Sequence, residues 1–274
     1  MLTRRRFLEC TALTGLAAGL PGGLAAAPAP ITKIIPRTGT AVPVIGMGSW
    51  LTFDVGDDPA ARAQRAQVLA TFFEMGGGMI DSSPMYGSSE AVIGHGLAVL
   101  GKPNTLFAAT KVWTPGQDHG IRQMAESERL WGVRPFDLLQ VHNLLGWEGH
   151  LETLTQWKAD GRVRHIGITT SHGRRHDEPL AAEKGIAVIV NRPFQRGALI
   201  DRLQGRPLPP VAAEIGAANW AQVLLKWIVA HPAVTCAIPA TTRVDHMTEN
   251  MGAARGPLPD GKTRRHIAAY VKSL

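Results

Sequence analysis

Tyrosine and cysteine are scarce in this chain, with two of each in 274 residues. Cys10 falls in a leader-like stretch, so Cys236 stands alone in the remainder and an internal disulfide there is excluded in any compartment. The weakly apolar run from about Thr11 to Leu20 is far short of the roughly 20 residues a spanning helix needs, which excludes a stable membrane anchor. No basic stripe interleaved with aromatics is present, so the formal charge of +7 does not argue for nucleic acid. Neither a GxGxxG after the first apolar strand nor a P-loop occurs, which counts against the two common doubly wound nucleotide folds. His172 and His176 stand four apart, but Gly173 follows the first and no third ligand accompanies them, so no metal is expected.

What is present begins with a basic start, Arg4-Arg5-Arg6, followed by the modest apolar run, Pro21 and the small residues Ala25 to Ala27. That is the order of a secretory leader, placed at residues 1–27, with Pro28 favouring a cut one or two residues before that boundary. Thr3-Arg4-Arg5-Arg6-Phe7-Leu8 resembles a twin-arginine signal, which implies the twin-arginine export machinery as a partner and a periplasmic or exported destination. A general secretory signal or an ordinary basic N-terminus is the alternative. Loss of three arginines and Glu9 takes the charge from +7 to +5, and residues 28–274 suffice for one large domain.

Continuous apolar runs alternate with amphipathic stretches. Strands are expected at 44–48, 78–82, 106–112, 138–142, 163–170, 185–190 and 234–239, and helices at 60–75, 88–100 and 219–230, with Gly76, Gly101 and His231-Pro232 as stops. Buried strands each followed by a helix predict a parallel sheet covered by helices, and at this length a closed (β/α)₈ TIM barrel. Seven strands are found where such a barrel has about eight. The shortfall is local: Ser171 to Lys184, interrupted by Pro179, offers the tail of a helix without its head, so one βα unit is expected to be missing. The strands on either side are then expected to be neighbours or to flank an open seam.

Polar residues at the C-terminal ends of barrel strands are the default site residues. Asp81, Lys111 and His142 end three consecutive expected strands, and Tyr86 follows the first of them. Singly, each has an ordinary structural role: a turn cap, a solvated lysine, a satisfied histidine. Together they make chemical sense. A phenol titrates near pH 10 and is a weak acid for a carbonyl oxygen unless perturbed. An ammonium beside it stabilises the phenolate, and a carboxylate keeps the ammonium charged and in place. A histidine can donate a hydrogen bond to the substrate oxygen. Such a group stabilises a developing alkoxide while a cofactor delivers hydride.

"GGGMIDSSPMYGSSEAVIG", "ATKVW" and "LLQVHN" are similar to the segments that carry an Asp, Tyr, Lys, His tetrad in the aldo-keto reductases. The resemblance, running from about Ile34 to Ala254, implies a (β/α)₈ barrel that reduces an aldehyde or ketone with NADP(H), NAD(H) being the alternative. It gives the catalytic roles to Asp81, Tyr86, Lys111 and His142. It places Trp50 of "GMGSW" over nicotinamide and substrate, with Trp113 and Asn143 also on the substrate side. "IPATTRVDHMTENMGAA" is similar to the last strand and adenosine-phosphate loop, which implies cofactor contacts from Pro239, Thr241, Arg243, His246, Glu249 and Asn250.

The chain departs from the family pattern around the nicotinamide. Thr169 and Thr170 stand where a Ser-Asn pair usually holds the amide, and Asn191 stands where many members stack a tyrosine, with Arg192 after it as a further implied cofactor contact. Ala240 replaces a basic residue, leaving Arg243 and His246 for the 2′-phosphate. The alternative to an active reductase is therefore a catalytically impaired barrel that binds a ligand or partner. A deletion introduced into the recorded sequence of an active parent is a third reading.

Overall fold

Two glycines let the first barrel strand approach its neighbours. A Cβ on Gly46 would lie 2.8 Å from the Met79 carbonyl, and one on Gly48 would lie 2.9 Å from the Ile238 carbonyl, so only glycine fits. The computed structural model describes residues 28–169 and 186–274. The leader, Thr170, the His172/His176 pair and the 171–184 segment lie outside the described residues.

An antiparallel hairpin, β1 (Thr32–Ile34) and β2 (Ala41–Pro43), comes first. Sequence periodicity did not reveal it, because strands this short carry almost no pattern. It closes the N-terminal end of the barrel: Val42 packs with Met79 and Phe107, the first residues of the next strands. Lys33 anchors it by donating to the carbonyls of Val229, His231 and Val234 at 2.7, 2.9 and 2.6 Å.

Parallel strands then follow in order: β3 (Met47–Gly48), β4 (Met79–Asp81), β5 (Phe107–Val112), β6 (Phe136–His142) and β7 (Val163–Thr169), hydrogen-bonded side by side. A second parallel pair, β8 (Val188–Val190) and β9 (Val234–Ala237), joins the other edge. There Gly46 N donates to the Ala237 carbonyl at 2.9 Å and Gly48 N to the Pro239 carbonyl at 3.0 Å. The described order is thus β8-β9-β3-β4-β5-β6-β7. Each of the seven expected strand segments contains a strand, with ends shifted by a few residues. Among the described residues β7 and β8 are not paired with each other, and a cavity of about 710 Å³ lies between them. Every residue of β6 is buried, whereas Ile168 on β7 is 61 % exposed.

Helices α1 (Pro59–Glu74), α2 (Ser89–Val99), α3 (Gln117–Trp131) and α4 (Trp147–Ala159) alternate with β3 to β7. Asp58 caps α1 by accepting from Ala60 N and Ala61 N at 2.8 and 3.1 Å, with Pro59 preset for the first turn. After β8 come α5 (Ala198–Leu203) and α6 (Trp220–Val229), and after β9 come α7 (Val244–Gly252) and α8 (Gly261–Ser273). The core is the layer between sheet and helices, with Phe72, Ile93, Trp131, Phe136 and Leu139 among its sealed side chains. Trp131 and Trp157 are packing residues, whereas Trp113 and Trp147 are exposed.

Candidate active site

The C-terminal ends of β4, β5 and β6 present Asp81, Lys111 and His142 side by side. In-register pairing sets this: Asp81 lies opposite Ala109, and Lys111 opposite Gln140. The Lys111 ammonium forms an ion pair with the Asp81 carboxylate, their side chains only 4 % and 6 % exposed, and donates to the Ser82 carbonyl at 2.7 Å. Gln140 Nε2 occupies the other oxygen of Asp81 at 2.8 Å. Burial disfavours the lysine's charge, but Asp81 and the neighbouring Tyr86 outweigh it and hold the ammonium above its ordinary pKa.

Tyr86 stands in the tight turn after β4, its amide donating to the Ser83 carbonyl at 2.9 Å. Its ring centroid is 5.1 Å from the Lys111 ammonium, and the His142 ring meets it edge-on at 5.8 Å. Gly87 is required next to it: φ is 58°, and a Cβ there would lie 2.4 Å from the Asp54 carboxylate. That carboxylate accepts from both the amide and the hydroxyl of Ser88 at 2.8 Å, bonds that lower its pKa and fasten the turn to the loop after β3. Burial raises the Tyr86 pKa, and Lys111 and Arg192 oppose the rise without reversing it. The phenol keeps its proton. The sequence pointed to the ammonium; in the fold, burial acts in the opposite direction and is the larger influence.

His142 Nδ1 lies 2.9 Å from the Ser83 hydroxyl. Burial first, then Lys111 and Arg192, push its pKa down to about 4, so the ring is neutral near pH 7. Behind the group, the buried Glu90 accepts from Thr110, Ser127 and Trp131 at 2.6, 2.9 and 3.1 Å and fixes β5 against its helices. Burial raises its pKa.

In front of Tyr86 and His142 opens a cleft of about 690 Å³, within the range of small-molecule sites. Trp50, Asn143, Asn191 and Arg192 line it near the reacting end, and Thr241, His246, Glu249 and Asn250 line it elsewhere. Not every expected contact reaches it. Thr169 faces the cavity between β7 and β8, and Asn191 lines both spaces. Pro239 gives its carbonyl to Gly48, Arg243 pairs with Asp245, and the exposed Trp113 is fastened through its backbone to Gln123. Ser83, Gln140 and Arg196 were not singled out from sequence. Gln140 had a signal in "LLQVHN", an amide two residues before His142 on the same strand face. Among the described residues, no group of acids, histidines and cysteines could hold a metal ion, and no helix is long and apolar enough to cross a membrane.

The family profile "Aldo/keto reductase family" matches residues 44–192, a stretch that contains all four of Asp81, Tyr86, Lys111 and His142. The chain belongs to the aldo/keto reductase family. Relatives of the reductase extend beyond that stretch. A methylglyoxal reductase of Escherichia coli is 24 % identical over 273 residues, covering 87 % of this chain and 95 % of its own. The pyridoxine 4-dehydrogenase of the same bacterium is 25 % identical over 243 residues, covering 72 % and 83 %. Among solved structures, an aldo/keto reductase from Klebsiella pneumoniae in complex with NADP and acetate superposes with a TM-score of 0.73 at 22 % identity, covering 87 % of this chain and 94 % of its own. The thermostable aldo-keto reductase Tm1743, in complex with the inhibitor epalrestat, has the same TM-score at 23 % identity, covering 87 % and 99 %. The fold is therefore the barrel of this family.

Proposed function

We propose that the chain is an NADP(H)-dependent reductase of an aldehyde or ketone, with Tyr86 as the general acid. One observation carries this: an ion-paired, buried ammonium under the ring of a protonated tyrosine whose edge faces a neutral histidine. The cleft in front suits a dinucleotide by its volume and by the spread of polar groups from Asn191 to Asn250. When bound there, NADP(H) supplies a hydride to the carbonyl carbon.

The chain's own residues do the rest. The Ser83 hydroxyl engages Nδ1 of His142, and in the tautomer where it donates the ring proton sits on Nε2, free to orient the carbonyl oxygen. As negative charge builds on that oxygen, Tyr86 gives up its proton and the alcohol forms. The phenolate left behind is stabilised by Lys111, which Asp81 and Gln140 hold in place. Trp50, 6.3 Å from Tyr86 between ring centroids, covers the substrate. Tyr86→Phe is expected to cut NADPH-coupled turnover by about 10²–10⁴ with the fold intact, the scale of one general acid. A Tyr86→Phe enzyme at full rate refutes the role.

Residues 1–27 are read as a twin-arginine leader for export to the periplasm, and the barrel as lacking one βα unit near residues 171–184. The same reading has the nicotinamide amide held loosely, since Thr169 and Thr170 lack the paired donor and acceptor of an amide.

A further inference from the structure

The cavity between β7 and β8 is a second space of small-molecule size, about 710 Å³, and it shares only Asn191 with the cleft in front of Tyr86. Side chains ordinarily fill the interior of such a barrel in layers, so an opening of this volume beside them is suited to a ligand. Its inner wall is apolar: Met79, Phe107 and Leu138 come from the buried cluster under the hairpin, and Ile189 packs against that cluster. At its mouth Ile168 and Ile186 are 61 % and 49 % exposed.

The charged groups of the cavity are all basic. Arg37, Lys158 and His165 line it, and among the described residues no aspartate or glutamate does. Lys158 stands exposed in the last turn of α4 and makes no ion pair with a described carboxylate. His165 is held by stacking on Phe107, with ring centroids 5.8 Å apart and planes at 26°. Burial first, and then the charge of Lys158, lower its pKa, so near pH 7 the ring is neutral and offers an N–H. Asp137, whose charge also reaches His165, is already engaged: it accepts from Ala108 N at 2.8 Å and from Arg164 at 2.7 Å.

These groups lie at one end of the space. Lys158 closes α4 just before β7 begins, and Arg37 follows β1, so both belong to the N-terminal end of the barrel. From His165 to Thr169 the cavity runs along four residues of β7, roughly 13 Å at the strand rise of about 3.3 Å per residue. A charged head at the base with an apolar body running inward matches that layout.

We infer that the space between β7 and β8 is a second binding site, for an amphipathic carboxylate whose head meets Lys158 and His165 and whose hydrocarbon lies against Met79, Phe107, Leu138 and Ile189. Charge complementarity selects the anion, since a cation or a neutral head would leave the ammonium unanswered. None of these six residues takes part in the proposed carbonyl reduction, so the site stands or falls apart from that reading.

The test is calorimetric titration of the full chain with octanoate, hexanoate and 1-octanol. Octanoate is expected to bind. Hexanoate should bind about tenfold or more weakly, because each buried methylene is worth about fourfold. Octanol should also be about tenfold weaker, for want of the charge. Lys158→Glu, a surface change that leaves the core alone, should remove the preference for octanoate over octanol. Ile189→Trp, which fills the space from the β8 side, should abolish binding of all three; if that variant does not fold, Lys158→Glu decides alone. Trp50→Ala, in the other cleft, should leave octanoate binding as it is. Loss of binding in Trp50→Ala with no effect of Lys158→Glu places the anion in the active cleft and overturns the inference. Equal affinity for octanoate and octanol overturns it too. Binding of none of the three means that the chain itself fills the space, and ends it.

Discussion

The Ser83 hydroxyl sits 2.9 Å from Nδ1 of His142, joining the turn that carries Tyr86 to the strand that carries the histidine. One neutral hydrogen bond thereby engages Nδ1 and leaves Nε2 as the other ring nitrogen. Ser83→Ala is expected to lower kcat/KM by about five- to tenfold, the scale of roughly 1 kcal/mol. Ser83→Thr should restore most of it. Equal rates for all three enzymes, measured with one aldehyde, would show that the ring needs no such orientation.

The Asp81–Lys111 pair makes a stability prediction. Removing one partner leaves the other buried and charged, so Asp81→Asn or Lys111→Met should each cost on the order of 3–5 kcal/mol in urea unfolding. The double variant should lose clearly less than the two losses combined, because no orphaned charge remains. Strict additivity would mean that the two do not act as a pair.

His142 sets a pH dependence. Its folded pKa, about 4, lies below the ordinary value of 6.5, so between these the unfolded chain holds more protons. Stability from this group is complete above pH 6.5 and is lost as pH falls toward 4. His142→Gln should flatten the slope of unfolding free energy against pH in that window. An identical slope in both proteins contradicts the assignment. Activity, likewise, should show no histidine titration between pH 5 and 8.

Export gives a prediction independent of catalysis. Replacing Arg4, Arg5 and Arg6 together by lysine is expected to trap precursor in the cytoplasm, scored by fractionation and immunoblot. Normal export of the triple variant would assign the leader to the general secretory route.

The tetrad was legible because barrel geometry collects strand-end residues, so four polar groups after apolar runs declare themselves. Ser83 and Gln140 were less so: one is a small hydroxyl in a turn, the other an amide inside a buried strand, and their roles exist only through cross-strand neighbours. The β1–β2 hairpin escaped notice because three-residue strands have no period to read. Thr169 was placed by analogy at the cofactor; it lies opposite His142 in the strand register and lines the space between β7 and β8. Arg196 escaped because its place in the cleft depends on a left-handed backbone that no periodic pattern announces.

Asp54 and Ser88 belong to two different loops, one running on from Trp50 and the other from Tyr86, and their paired hydrogen bonds weld these loops into one body. Trp50 and Tyr86 are thereby carried on tethered loops, and the 6.3 Å between their rings is expected to limit how thick a group can lie between them in the proposed reaction. Bulk must be accommodated elsewhere in the cleft.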